Sequence, residues 1–243
     1  MKTQFLAMPW SIPSVIPLPR DFSGFDPGSS MPCDDFTSYA RHLPHWRLPG
    51  AAYFVTFRLA DSIPQVILSE MQREDETWRQ RIAAHANSVP ASIQADWQEF
   101  QRARLLKLEV LLDEGHGECL LREASHRQVV IDALHYFEGQ RCEMLAYAVM
   151  PTHVHALCRM LGEYRMEDVC SSWKWFTALR IQRSLGRTGP FWQNESFDRI
   201  IRDAEHYQTT VRYIAKNPLK ARLQANEASV WFCESIREAN KLL

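Results

Sequence analysis

The chain has 243 residues, 46% of them hydrophobic, with eight tryptophans and a formal net charge of −1. That length supports one sizeable domain, or one domain with a large insertion. No stretch reaches the roughly 20 unbroken apolar residues of a membrane span, so no membrane partner is expected. Pro9, Pro13, Pro17 and Pro19 break up the N-terminus and no secretion signal is legible. The six cysteines are scattered without a Cys-x-x-Cys pair, a pattern of reduced thiols. A cytoplasmic protein is the expectation.

Residues 1–40 are rich in Pro, Ser and Gly without a period and read as a disordered or loosely docked tail. Tyr53 to Leu59 is β-branched and aromatic between Gly50 and Asp61, and reads as a strand. From Pro64 to Asp113 the pattern is helical, with Pro90 dividing two helices, so a helical insertion (about 62–116) leaves the sheet after its first strand. The insertion is acidic, whereas the chain after His155 leans basic. Gly117 to Leu121 reads as a short extended piece, and Ser125 as the N-cap of a helix through Val129, Ala133 and Phe137. Two apolar strands follow, joined at Met150-Pro151-Thr152. An amphipathic helix runs from Glu167 to Leu185, ending at Gly186. After a short extended piece near Phe197, a last helix from Ala204 is expected to stop at Pro218. The order strand, helix, strand, strand, helix, strand, helix implies an α+β fold with helices on an antiparallel sheet. The domain is bounded at 41–225, with 226–243 as a C-terminal extension.

In His153-Val154-His155 the strand period puts both imidazoles on one face and Val154 on the other. Such a pair can chelate a divalent cation, though two ordinary histidines fit the same three letters. Tyr213 and Asn217 lie one helical turn apart, so an amide oxygen could join a metal site beside a phenol. By itself the pair reads equally as a core tyrosine and a helix terminator. Tyr207 is a rival whose i+4 partner, Val211, binds no metal.

"LPHWRLPGAAYFVTFRL", "AYAVMPTHVHAL", "GPFWQNESFDRIIRD" and "VRYIAKNPLKARL" together resemble, in order, successive blocks of the REP-associated tyrosine transposases, single-tyrosine HUH relatives of insertion-sequence transposases. The resemblance spans about residues 42–223. It implies a ferredoxin-like antiparallel sheet (the HUH endonuclease fold), with His153 and His155 as the HUH histidines, Asn217 as the third metal ligand and Tyr213 as the nucleophile. It also implies a divalent metal, Mg²⁺ or Mn²⁺, and cleavage and rejoining of single-stranded DNA beside a hairpin in REP-like repeats, through a 5′-phosphotyrosine. Arg199, Arg202, Lys216, Lys220 and Arg222 are then candidate phosphate contacts, and Trp46 and Trp192 either stack on bases or sit in the core. A monomer and a homodimer both remain open. The alternative is a domesticated hairpin-binding protein with little or no cleavage. The acidic insertion departs from the family pattern and reads as a lid, a dimer contact or a hairpin clamp.

Overall fold

The computed structural model describes residues 10–20, 22, 24, 37–40, 44–85 and 90–241, with the backbone alone for 37–40 and 44–47. A short hairpin comes first, β1 (Thr37–Ala40) antiparallel to β2 (Pro44–Arg47). Then follow β3 (Ala52–Arg58), α1 (Gln65–Ala83), α2 (Ala91–Asp113), α3 (Ala124–His135), β4 (Cys142–Val149) and β5 (His153–Met160). The chain finishes with α4 (Met166–Leu185), β6 (Phe197–Ile200), α5 (Ala204–Lys220), β7 (Ser229–Phe232) and α6 (Glu234–Lys241). The main sheet has the order β6-β3-β5-β4-β7, and every pairing is antiparallel. Its first four strands, taken as a βαββαβ unit, have the ferredoxin-like order 4-1-3-2, as the resemblance implied.

Strand alternation divides the core in two. Tyr53, Val55, Phe57, Val154, Ala156 and Cys158 face α3 and α4, where Trp173 and Ile181 are buried against them. Ala52, Phe54, Ala148 and Leu157 face α5, which meets them with Tyr207, Val211 and Ile214 at helical spacing. A β-bulge between Met144 and Ala146 turns Leu145 and Ala146 toward the same α5 layer. Burying a Leu or Ile on either face contributes about 1.5–3 kcal/mol, so the sheet is held from both sides.

The insertion is a helical hairpin with a small core of its own, Ile63, Met71, Leu111 and Leu112. Arg104 bridges its helices by donating to the Met71 carbonyl at 3.0 Å and pairing with Asp75 at 2.7 Å. At the far end Trp78, Trp97 and Phe100 pack together. The Thr152 hydroxyl reaches the Leu112 carbonyl at 3.4 Å, tying the end of α2 to the β4–β5 turn. Gly117, at φ +81°, seats the exit of the hairpin against Asp61, where a Cβ would lie 2.6 Å from the Asp61 carboxyl.

Several expectations change. In the N-terminal stretch residues 10–20 are docked, with Trp10 (7% exposed) and Ile16 (5%) in the α5 layer. Their spacing follows a Pro-rich extended path, so no helical or strand period betrays them. Thr37–Ala40 is strand rather than tail; residues 1–9 and 25–36 lie outside the described part. The piece near Gly117–Leu121 is not extended: Cys119 takes a left-handed conformation at φ 52° and a 3₁₀ turn covers Leu120–Arg122. That turn makes Glu123 the N-cap of α3 and leaves Ser125 inside the helix. Pro218 does not stop α5; it sits inside the last turn, buried in the α5 layer. So near the C-terminus a proline forfeits one hydrogen bond to the residue four before it, and the packing of its ring offsets the loss. The extension after residue 225 is no appendage, because β7 completes the sheet beside β4. Among the described residues no helix is long and apolar enough to cross a membrane.

Candidate active site

His153 and His155 project from β5 toward the α5 layer, 1% and 3% exposed. Their Nε2 atoms face each other at 3.1 Å. Behind each ring stands a threonine: Thr152 Oγ1 lies 3.0 Å from His153 Nδ1, and Thr56 Oγ1 lies 2.7 Å from His155 Nδ1. With hydrogen on both Nδ1 atoms, donated to the hydroxyls, the two Nε2 lone pairs converge on one point. This is the outer-shell orientation that metal-binding histidines receive. Burial lowers the His153 pKa to about 3. Burial lowers His155 too, well below the usual histidine value, with His153 and Lys220 adding to the effect. Both rings are therefore neutral, the state that ligates.

Helix α5 supplies the other side. Asp203 caps its N-terminus, accepting from the His206 N–H at 2.7 Å. Because Pro218 leaves the helix intact, Tyr213 and Asn217 share a face as i and i+4. Asn217 is 1% exposed; its Nδ2 donates to the Tyr213 carbonyl at 2.8 Å, and its side chain also hydrogen-bonds the His155 ring and the Tyr213 hydroxyl. The Tyr213 ring meets His155 edge-on at 5.3 Å and Phe54 at 5.6 Å. Lys220 Nζ stands 4.9 Å from the Tyr213 ring centroid. The rival Tyr207 is fully buried, and its hydroxyl finds no hydrogen-bond partner among the described residues.

The donor set fits a metal ion. Two nitrogens each roughly 2.1 Å from a metal and 90° apart lie about 3.0 Å from each other, close to the observed separation. Among the described residues no three His, Cys, Asp or Glu side chains cluster as a metal site. The Asn217 amide, a different type of donor, stands beside the histidine pair.

The opposite wall is α2, the helix of the acidic insertion. Its Glu109 hydrogen-bonds the Tyr213 hydroxyl. Burial, and then that carboxylate, push the Tyr213 pKa above the usual phenol value. One turn on, Asp113 is raised to about 6 by burial, opposed by Lys220 and reinforced by Glu109. Between α2, β3, β6 and α5 lies a cavity of about 350 Å³, with His155 and Tyr213 in its lining.

Of the candidate phosphate contacts, Arg199 lines this cavity and Lys220 covers Tyr213. Arg202, Lys216 and Arg222 are exposed and stand outside the lining. Trp192 is a core residue, 6% exposed and bonded through Nε1 to Thr177; the Trp46 side chain lies outside the described residues. Glu109, Thr56 and Thr152 were not legible as site residues. The threonines carry no motif, and Glu109 is 104 residues from Tyr213 in sequence.

Residues 121–217, which contain both histidines, Tyr213 and Asn217, match the family model described as "Transposase IS200 like". Among solved structures the chain is similar to a REP-associated tyrosine transposase bound to a REP hairpin, at 16% identity over 76% of this chain and 73% of that one, with a TM-score of 0.39. No curated protein matches the sequence. The likeness to the IS200-like transposases thus covers residues 121–217, less than half of the chain.

Proposed function

We propose that the chain cleaves and rejoins single-stranded DNA beside a hairpin, with Tyr213 as nucleophile and His153, His155 and Asn217 as the ligands of Mg²⁺ or Mn²⁺. The observation that carries this reading is the approach of the two Nε2 atoms to 3.1 Å, with the His155 ring in contact with a tyrosine that lines a cavity. The match to the transposase family supports it.

A phenol buried beside a carboxylate is a weak nucleophile at neutral pH and needs help. A bound divalent ion supplies charge stabilisation at the scissile phosphate. The chain's own residues do the rest. Asn217 and His155 hold Tyr213 in one orientation, and Lys220 places a cation beside the ring where phosphate charge develops. Attack forms the bond from the tyrosine oxygen to phosphorus and breaks the bond to O3′. The phenolic proton passes to the Glu109 carboxylate, and the departing O3′ takes a proton from solvent to end as a free 3′-OH. The 5′-phosphotyrosine retains the ester energy, so rejoining needs no nucleotide triphosphate. Arg199 serves as a phosphate contact at the cavity, with Arg202, Lys216 and Arg222 as outer contacts on the approach.

The test is incubation with labelled single-stranded hairpin DNA and Mn²⁺, followed by a denaturing gel. A slow-migrating adduct that chelator abolishes and that Tyr213→Phe cannot form is the expected result. Cleavage persisting in Tyr213→Phe would instead mean that water attacks. Tight hairpin binding without any adduct would make the chain a hairpin-binding protein that no longer cuts.

A further inference from the structure

The cavity beside Tyr213 is more than an opening to the site. Its floor is Phe54 and Phe197, from neighbouring strands β3 and β6. Its far wall is Leu105 and Leu106 of α2. Phe54 already stacks on His155 at 5.5 Å between ring centroids, and the Arg199 guanidinium lies 5.5 Å from the Phe197 ring centroid. Aromatic planes of this kind accept a nucleobase whatever its identity. The volume, about 350 Å³, falls near the low end of the roughly 300–1,000 Å³ of small-molecule pockets. It suits one nucleotide and not a run of strand.

A second feature points to a charged occupant. Arg58, half-buried on β3, lines the same cavity. It donates to the Ser62 hydroxyl at 3.1 Å, and among the described residues no carboxylate stands within ion-pair distance of it. Burial and the neighbouring Arg104 lower its pKa to about 10. A guanidinium so placed lacks the anion that would offset its desolvation, and a phosphate is the group whose geometry it matches. The apolar and aromatic walls with one under-compensated cation are the two halves of a nucleotide receptor.

We propose that this cavity receives a single unpaired deoxynucleotide adjacent to the bond that Tyr213 attacks, its base between Phe54, Phe197 and the α2 leucines and its phosphate on Arg58. The inference rests on Tyr213 being the nucleophile and adds a role for the insertion: α2 closes a site that would otherwise be an open groove. Glu109 faces the same space and supplies an acceptor for a base amino group, so the pocket discriminates between bases as well as holding them.

The experiment titrates the full-length chain, without added metal, with each of the four deoxynucleoside 5′-monophosphates, read by ligand-detected NMR. Nucleosides and inorganic phosphate serve as separate probes. Saturable binding of at least one monophosphate is expected, weaker by about tenfold in Phe197→Ala and in Arg58→Gln, and abolished in Leu105→Trp, which fills the cavity. Thermal melting identifies any variant that fails to fold, and Phe197→Ala, at a half-exposed position, keeps the test open if Leu105→Trp does not fold. No saturable binding by any monophosphate overturns the proposal. So does phosphate binding as tightly as every nucleotide with no effect of Phe197→Ala, which would leave a bare anion site. Adduct formation without nucleotide binding would sink the pocket and spare the nucleophile; nucleotide binding without adduct would do the reverse.

Discussion

Helices α5 and α2 wall the same cavity from opposite sides, yet they are held in different ways. α5 lies flat on the sheet, with Tyr207, Val211 and Ile214 buried to their tips against β4 and β5. Its site face is held by the Asn217 bond to the Tyr213 carbonyl within the helix, and it meets the histidine strand at the His155 ring. α2 is fixed at its C-terminal end by Leu111, Leu112 and the Thr152 contact, while Leu106 and Val110 stay exposed. The lesson is a division of labour. The helix that carries Tyr213 is committed to the core, and the helix that faces it across the cavity is anchored at one end and charged along its length.

That comparison can be broken from the α5 side first. Tyr213→Phe should lower covalent adduct formation by at least about a thousandfold, since no other hydroxyl occupies its position, and the denaturing gel measures it. Ile214→Ala, one residue along on the buried face, should cost about 2–5 kcal/mol of stability in urea unfolding. An effect below about 1 kcal/mol would mean that α5 is not set by the core. Asn217→Ala should cost about 1–3 kcal/mol, because the His155 ring and the Tyr213 hydroxyl lose a buried partner.

The α2 side gives smaller effects with the opposite sign. The Asp113 carboxyl is raised to about 6 from a usual 3.8. The folded state therefore holds that proton more tightly than the unfolded one, and this group's contribution falls as pH rises through roughly 4 to 6. Asp113→Asn should stabilise the protein by about 1 kcal/mol at pH 7, after allowance for solvent screening at a half-buried site. The gain should vanish at pH 4; equal gain at both pH values would show that the charge is not its source. Smallest of all, Arg202→Gln should reduce the slope of log affinity for hairpin DNA against log salt by about one.

How much was legible follows the range of the interactions. The histidine pair and the Tyr213–Asn217 pair are short-range: strand period and helix period fix each of them within a few residues. The order of strands and helices followed from the same periods, and with it the sheet. Pro218 escapes the local rule for helix interiors because it sits in a last turn, where packing decides. The insertion reads from sequence as a lid, a dimer contact or a hairpin clamp, but its acidic pattern does not say which residues of α2 reach the site. Nothing local says that Glu109 will meet a phenol 104 residues away. The strands at the chain ends, β1 and β7, are four residues each, too short for alternation to declare itself.

The docked N-terminal segment carries a consequence for how the protein comes off the ribosome. Ser14 and Val15 donate their N–H groups to Asn240 Oδ1 at 2.8 and 3.2 Å, and the Asn240 amide returns a bond to the Val15 carbonyl. A clasp between partners 226 positions apart can close only after everything between them has emerged. Until then the Trp10–Ile16 segment has no α6 to meet, and the layer beneath the tyrosine helix waits uncovered. Translation must therefore deliver α6 before residues 10–16 can settle, so this part of the fold closes late.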